Sequence, residues 1–213
     1  MKPLVTLVDY GIGNIYSVCR AFEKSGAEIL VTSDHDKIAG ASHLVLPGVG
    51  AFGSGMAGLQ ERNLIEPICA HAAAGKPLMG ICLGMQMLAT VSEEFGEHRG
   101  LNIIPGRVRR LPITTISGEA QKIPHIGWTQ LYKSETAEWQ TTALAGIQDG
   151  DSVYLVHSYA MQPDNANNQI GFSLFGGHRI CTVVRQGLVI GCQFHPEKSG
   201  PVGLNIISSF LKT

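Results

Sequence analysis

The segment MGICLGMQ, Met79 to Gln86, sets one cysteine between a glycine two residues before it and another two residues after it. The apolar run PLMGI (77–81) leads into it and LGMQMLA follows. A buried structural cysteine needs no such glycines, because Cys packs like a small apolar residue wherever a core has room. A nucleophile on a sharp strand-to-helix turn does need them. Gly80-Ile81-Cys82-Leu83-Gly84 has the GxSxG form of a nucleophile elbow, with sulfur in place of the hydroxyl. The glycines let the chain pass tightly under Cys82. The first amides of the following helix aim at the same point, where they favour a thiolate and can hold an oxyanion. GxCxG is short and by itself fits an inert core cysteine equally well, so the residues that accompany it must decide.

Upstream of the elbow the chain alternates. Apolar runs LVTLV (4–8), HLVLP (43–47) and PLMGI (77–81) interleave with helical patterns at 15–24, 56–60 with 64–74, and 83–90. That is the βα rhythm of a parallel sheet with helices on both faces. Downstream the pattern turns strand-like, at 101–111, 152–160, 170–175, 180–185 and 188–194, with turn-rich joints such as QDGD and QPDNANN. A last helix is expected over 202–211, after Pro201. The expectation is an α/β fold: a central, mostly parallel sheet flanked by helices, with antiparallel strands added in the C-terminal half. At 213 residues and 44% hydrophobic, the chain suits one domain over 1–213 around one substantial core.

The charge balance excludes some functions. Net charge is -1 and no basic run exceeds Arg109-Arg110, so no footprint for nucleic acid is present. No stretch approaches the roughly 18 apolar residues of a membrane helix, and the start MKPLVTLVDYG reaches an acid within ten residues, unlike a signal peptide. The five cysteines, Cys19, Cys69, Cys82, Cys181 and Cys192, form no CxxC pair or disulfide framework, which points to a reducing, cytoplasmic compartment. In RICTVVRQGLVIGCQF a two-residue turn at Gln186-Gly187 would set Cys181 opposite Cys192. That position is a hydrogen-bonded pair, whose wide Cβ spacing disfavours a bridge, so both are expected reduced. Neither HExxH nor a Cys/His cluster with ligand spacing occurs, so no metal and no cofactor is expected.

A thiol nucleophile needs a base, and the base an orienting group. QFHPEK supplies both in His195 and Glu197. In extended chain, residues i and i+2 face the same way, so the carboxylate could hold the imidazole against the sulfur while Pro196 ends strand pairing. The other histidines, at 35, 43, 71, 98, 125, 157 and 178, have no carboxylate two residues on and are structural by default. The run Gly48-Val49-Gly50-Ala51-Phe52-Gly53 matches GxGxxG, but the next strand ends in Cys82 where a dinucleotide site wants an acid. These glycines better serve as a loop beside the elbow, where Val49 or Gly50 N-H could join Leu83 N-H in an oxyanion hole.

GICLGMQ and QFHPEK, in that order, resemble the class I (triad) glutamine amidotransferase family. VDYGIGNIYSV (8–18), LPGVGAFGSGM (46–56), SEE (92–94), GLNIIPGRV (100–108), PHIGWTQL (124–131) and VYLVHSY (153–159) extend the resemblance to the glutaminase subunits of imidazole glycerol phosphate synthases. The resemblance implies a flavodoxin-like fold and a Cys82, His195 and Glu197 triad that releases ammonia from L-glutamine through a thioester. It implies a glutamine pocket of Gly50, Gln86, His157, Ser158 and Tyr159. It further implies a (β/α)8-barrel cyclase partner in a heterodimer of histidine biosynthesis, facing Asn14, Ile126, Trp128, Tyr154 and Lys198. Two rival readings remain: a free-standing γ-glutamyl hydrolase or other amidotransferase component, and a non-catalytic redox or binding protein that uses the same cysteine.

Overall fold

A computed structural model describes residues 2–213. The N-terminal half contributes strands β1 (Leu4–Val8), β2 (Glu28–Thr32), β3 (His43–Leu46) and β4 (Leu78–Ile81). Helices α1 (Ile15–Lys24), α2 (His35–Ala39), α3 (Phe52–Glu61) and α4 (Ile65–Ala73) join them, and α5 (Leu83–Met87) follows Cys82 directly. Then come β5 (Val91–Ser92), β6 (His98–Arg99), β7 (Gly106–Arg110), β8 (His125–Gln130) and β9 (Tyr132–Lys133). The chain closes with β10 (Ser152–His157), β11 (Tyr159–Pro163), β12 (Gln169–Phe175), β13 (His178–Gln186), β14 (Val189–Cys192) and α6 (Gly200–Phe210).

The main sheet runs β2-β1-β3-β4-β14-β13-β12-β9. Its first five strands are parallel and the last three antiparallel, which is the expected mixed sheet in a 2-1-3-4 flavodoxin-like order. Strand β4 shows why the helices split between the two faces. Met79 and Ile81 pack with Phe22 of α1 and Ile206 and Phe210 of α6, while Leu78 packs with Leu44, Leu46, Leu59 of α3 and Ile68 of α4. Burial on both faces gives the unbroken apolar runs of β3 and β4. Among the described residues no helix is long and apolar enough to cross a membrane.

Several expectations change. Strand β2 and helix α2 are additions to the expected elements: β2 is a half-exposed edge and α2 is only five residues, so neither carries a strong apolar period. The run 101–111 pairs as a strand only over Gly106–Arg110. The run 152–160 is two strands: β10 pairs with β8 in a two-stranded sheet, and β11 pairs with β7 in a four-stranded one. The hairpin turn lies at Gly187-Leu188, so Cys192 faces Val183 and not Cys181. The first position of such a turn favours a residue that accepts φ > 0, and Gly187 at +60° fills it, one residue later than the expected register. Both thiols are free, and burial pushes each up to about 12.

The glycines around Cys82 serve close packing of α5 on the sheet. A Cβ at Gly84 would stand 1.8 Å from the Leu46 carbonyl oxygen, and one at Gly80 would stand 2.8 Å from the Gly84 backbone. Backbone cannot yield as a side-chain tip can. Gly84→Ala is therefore expected to cost about 3 kcal/mol or more, lowering Tm by roughly 6–12 °C in a thermal melt. An unchanged melt would refute the close approach.

Candidate active site

Three adjacent strands deliver the site at their carboxyl ends, where parallel α/β sheets place their ligands. Strand β3 runs into the glycine loop at 48–50, β4 into Cys82, and β14 into Gln193 and His195. Cys82 has φ +55° and ψ -110°, a strained turn for a side chain with a Cβ. Its N-H donates to the Cys192 carbonyl at 2.7 Å, and its own carbonyl accepts from Gln86 N-H at 3.2 Å to begin α5. The elbow read from the sequence is thus formed, with the sulfur at the N-terminal end of a short helix.

His195 Nδ1 lies 2.8 Å from Glu197 Oε1, leaving Nε2 for the pocket that His195 and Cys82 both line, while Cys82 Sγ meets the Val156 carbonyl and Gln193 Nε2, each at 3.9 Å. The geometry differs from the extended i, i+2 step expected. Residues Pro196–Lys198 form a 3-10 turn that curls the Glu197 carboxylate back under the ring. Both side chains are almost fully buried, at 6% and 1% exposure. Burial works to lower the His195 pKa, but hydrogen bonding and charge from Cys82 and Glu197 outweigh it and lift it to about 9. Ser199 fixes this turn: its hydroxyl donates to the His195 carbonyl at 2.7 Å and accepts from Tyr154 N-H at 3.0 Å.

Cys82 and His195 open onto a cavity of about 340 Å³ that Val49, Gly50, Leu83 and Gln86 also line. Residues His157, Ser158 and Tyr159 form its other wall at the point where β10 ends and β11 begins, so the strand split described above positions them. Burial lowers the His157 pKa to about 4, and its Nδ1 sits 2.9 Å from the Tyr159 carbonyl. A neutral ring facing a carbonyl must carry its proton on Nδ1. Two further residues join the site that sequence reasoning did not single out. Glu94 lines the cavity while its Oε2 accepts from Phe52 N-H at 2.7 Å, capping α3. Gln193, fully buried, accepts from Gln86 Nε2 at 2.9 Å and donates to Cys82 Sγ at 3.9 Å. Glu94 stands in SEE and Gln193 in QFHPEK; Gln193 is fully buried beside the elbow, whereas Glu94 is half-buried at the start of α3.

The expected oxyanion donors are near one another but not assembled. Leu83 N-H donates to the Gly48 carbonyl at 3.3 Å. In a trans peptide the N-H points opposite to the C=O, so Val49 N-H faces away from Leu83. Gly50, with φ +93° and open space around it, closes this loop.

Of the residues assigned by resemblance to a partner face, only Lys198 lines the cavity. Ile126 and Trp128 are each 59% exposed, and Trp128 meets Tyr154 edge to face at 6.0 Å across the β8–β10 pair. Lys198 is exposed and lines the cavity, and Asn14 stands at the start of α1 without a side-chain cap bond.

Residues 6–213 match the family of class-I glutamine amidotransferases. Among curated relatives, an imidazole glycerol phosphate synthase subunit HisH 1 of Legionella pneumophila (strain Paris) is 48% identical over 209 residues, 98% of each chain. Subunits HisH of Syntrophotalea carbinolica and Aquifex aeolicus are 45% and 42% identical, covering 97% and 96% of this chain and 98% and 94% of theirs. Of solved structures, PurLQS from Thermotoga maritima shares the fold with a TM-score of 0.74 at 21% identity, covering 100% of this chain and 99% of that one. A putative GMP synthase protein from Thermoplasma acidophilum does so at 0.69 and 17%, covering 100% and 94%. The elbow cysteine, the buried histidine and carboxylate behind it, and near-full-length likeness to HisH subunits agree: the chain belongs to the class-I glutamine amidotransferase family.

Proposed function

We propose that this chain hydrolyses L-glutamine to glutamate and ammonia at Cys82 and hands the ammonia to a cyclase partner, as the glutaminase of an imidazole glycerol phosphate synthase in histidine biosynthesis. The Cys82, His195 and Glu197 array at the pocket carries the reading, in a chain whose curated relatives bear that subunit's name.

His195 takes the Cys82 proton, and the sulfur attacks the side-chain amide carbon of glutamine, forming a C-S bond and an oxyanion. The C-N bond then breaks, and His195 returns the proton to the leaving nitrogen, so that ammonia departs and a glutamyl thioester remains. Water, deprotonated by His195, attacks the thioester, and the C-S bond breaks to give glutamate and the free cysteine. Glu197 keeps the ring oriented and stabilises its positive form. Gln86 reads the substrate at the pocket wall, and the Glu94 carboxylate suits the α-ammonium of an amino acid.

The Gly48-Val49 peptide gives this site a gate. With the Gly48 carbonyl on Leu83 N-H, the oxyanion has no pair of donors; a flip of that peptide frees Leu83 N-H and turns Val49 N-H inward. Free ammonia protonates near neutral pH and diffuses away, so hydrolysis without an ammonia acceptor in place would waste it. The exposed Ile126 and Trp128, with half-buried Tyr154 packed on Trp128, and with Asn14 and Lys198, would supply the contact through which a cyclase in a heterodimer drives the flip.

The isolated chain should release glutamate slowly, and the rate should rise on the order of 10²–10³ with the barrel cyclase and its nucleotide ligand, the worth of one oxyanion donor. A high rate from the chain alone would favour a free-standing hydrolase. In the complex, Cys82→Ala should abolish glutamine-dependent synthesis while synthesis from ammonium salts persists; loss of both would remove the case for a dedicated nucleophile. Glu197→Gln tests the ion pair by pH. Because the His195 pKa is raised above its unfolded value of about 6.5, its contribution to stability is complete below that pH and lost as pH rises through about 9. The Tm gap between native chain and Glu197→Gln should be largest near pH 6 and shrink as pH rises through about 9, Cys82 supplying the rest of the shift.

A further inference from the structure

Gln193 belongs to no part of the triad, yet it is fully buried against Gln86 and Cys82. Its backbone is held by β13, where Gln193 N-H donates to the Thr182 carbonyl at 2.9 Å. A buried carboxamide must place one acceptor and two donors, so its partners reveal its task.

The orientation of two amides follows from one backbone group. The Tyr159 carbonyl can only accept, so the Gln86 atom 2.9 Å from it must be Nε2. The second hydrogen of that nitrogen points at Gln193, 2.9 Å away, and the atom there must be Oε1, since two NH2 groups would repel. That leaves Gln193 Nε2 directed at Cys82 Sγ, at 3.9 Å. It also leaves Gln86 Oε1 as the acceptor without a partner in the chain, at the cavity wall.

We infer that Gln193 is a positioning residue with two linked tasks: it fixes the Gln86 amide so that Oε1 faces the substrate, and it donates N-H to the Cys82 sulfur. This inference rests on Cys82 being the nucleophile. The second bond is weak while sulfur carries a proton. It strengthens when that proton passes to His195, because a hydrogen bond to an anion is roughly twice as strong as a neutral one. Gln193 therefore favours the attacking form of the nucleophile over its resting form, and adds to the stabilisation that the imidazole pairing supplies.

Two variants in the complex with the cyclase separate the tasks. Gln193→Glu keeps an acceptor for Gln86 but loses the donor to sulfur. Gln193→Met fills similar volume and loses both. For Gln193→Glu we expect kcat for glutamine to fall about 10–100-fold, KM to stay within about threefold, and the pH midpoint of Cys82 alkylation by iodoacetamide to rise by about one unit. Gln193→Met should show the same alkylation shift and, in addition, a KM raised by about tenfold through the released Gln86 amide. Alkylation profiles and KM equal to wild type in both variants would overturn the inference, and a fall in kcat that merely tracks lower thermal stability would do the same.

If neither variant folds, NMR of the native sequence still decides. The Gln193 side-chain amide protons should shift between wild type and Cys82→Ala, and an unchanged signal would refute the bond to sulfur. Glutamine hydrolysis that survives in Cys82→Ala would instead strike the underlying assignment of the nucleophile, whatever the Gln193 variants do.

Discussion

The site hangs from one backbone turn, at Cys82, held at φ +55° with its N-H on the Cys192 carbonyl. A left-handed turn at a residue with a Cβ costs about 1–3 kcal/mol and persists only where its surroundings over-determine it. Here β4 enters it fully buried, α5 leaves it packed on the ends of β3 and β4, and β14 bonds it from the side. Each constraint comes from a different neighbour, so no single relaxation relieves the strain. The consequence is a sulfur raised above the sheet edge, in a residue still only 8% exposed.

Around that turn the polar groups are tied in pairs that cannot be separated cheaply. Glu197 holds His195, Ser199 bridges the histidine turn to β10, and Gln86 and Gln193 share a bond beneath the pocket. In a medium of low dielectric, satisfied groups rigidify one another and an orphaned one is costly. The side of the site that holds Cys82, His195 and Glu197 is therefore stiff. The glycine loop opposite is different in kind: its Gly48 carbonyl occupies the Leu83 N-H, and a Cβ at Gly50 would meet only open space.

Much of this was open to the sequence because it depends on local geometry. The glycines flanking Cys82, the buried apolar run of β4 and the two-residue spacing of His195 and Glu197 are short-range constraints, each visible in a few letters. Even there the local reason could mislead: Glu197 reaches His195 through a 3-10 turn, not along an extended strand. The hairpin slipped by one residue for a like cause, since only the torsion at Gly187 tells which residue leads the turn.

The sequence by itself determined the parts: a thiol on an elbow, an imidazole with its carboxylate, and a parallel sheet to carry them. Only the tertiary structure decided how these are completed. It split 152–160 between two sheets and so built the pocket wall, recruited Glu94 and Gln193, and set the Gly48 carbonyl against Leu83 N-H. Those contacts join residues as much as 111 positions apart, and no periodicity along the chain encodes which distant amide will face which carbonyl. Burial and hydrogen-bond satisfaction, which are properties of the packed whole, make that choice.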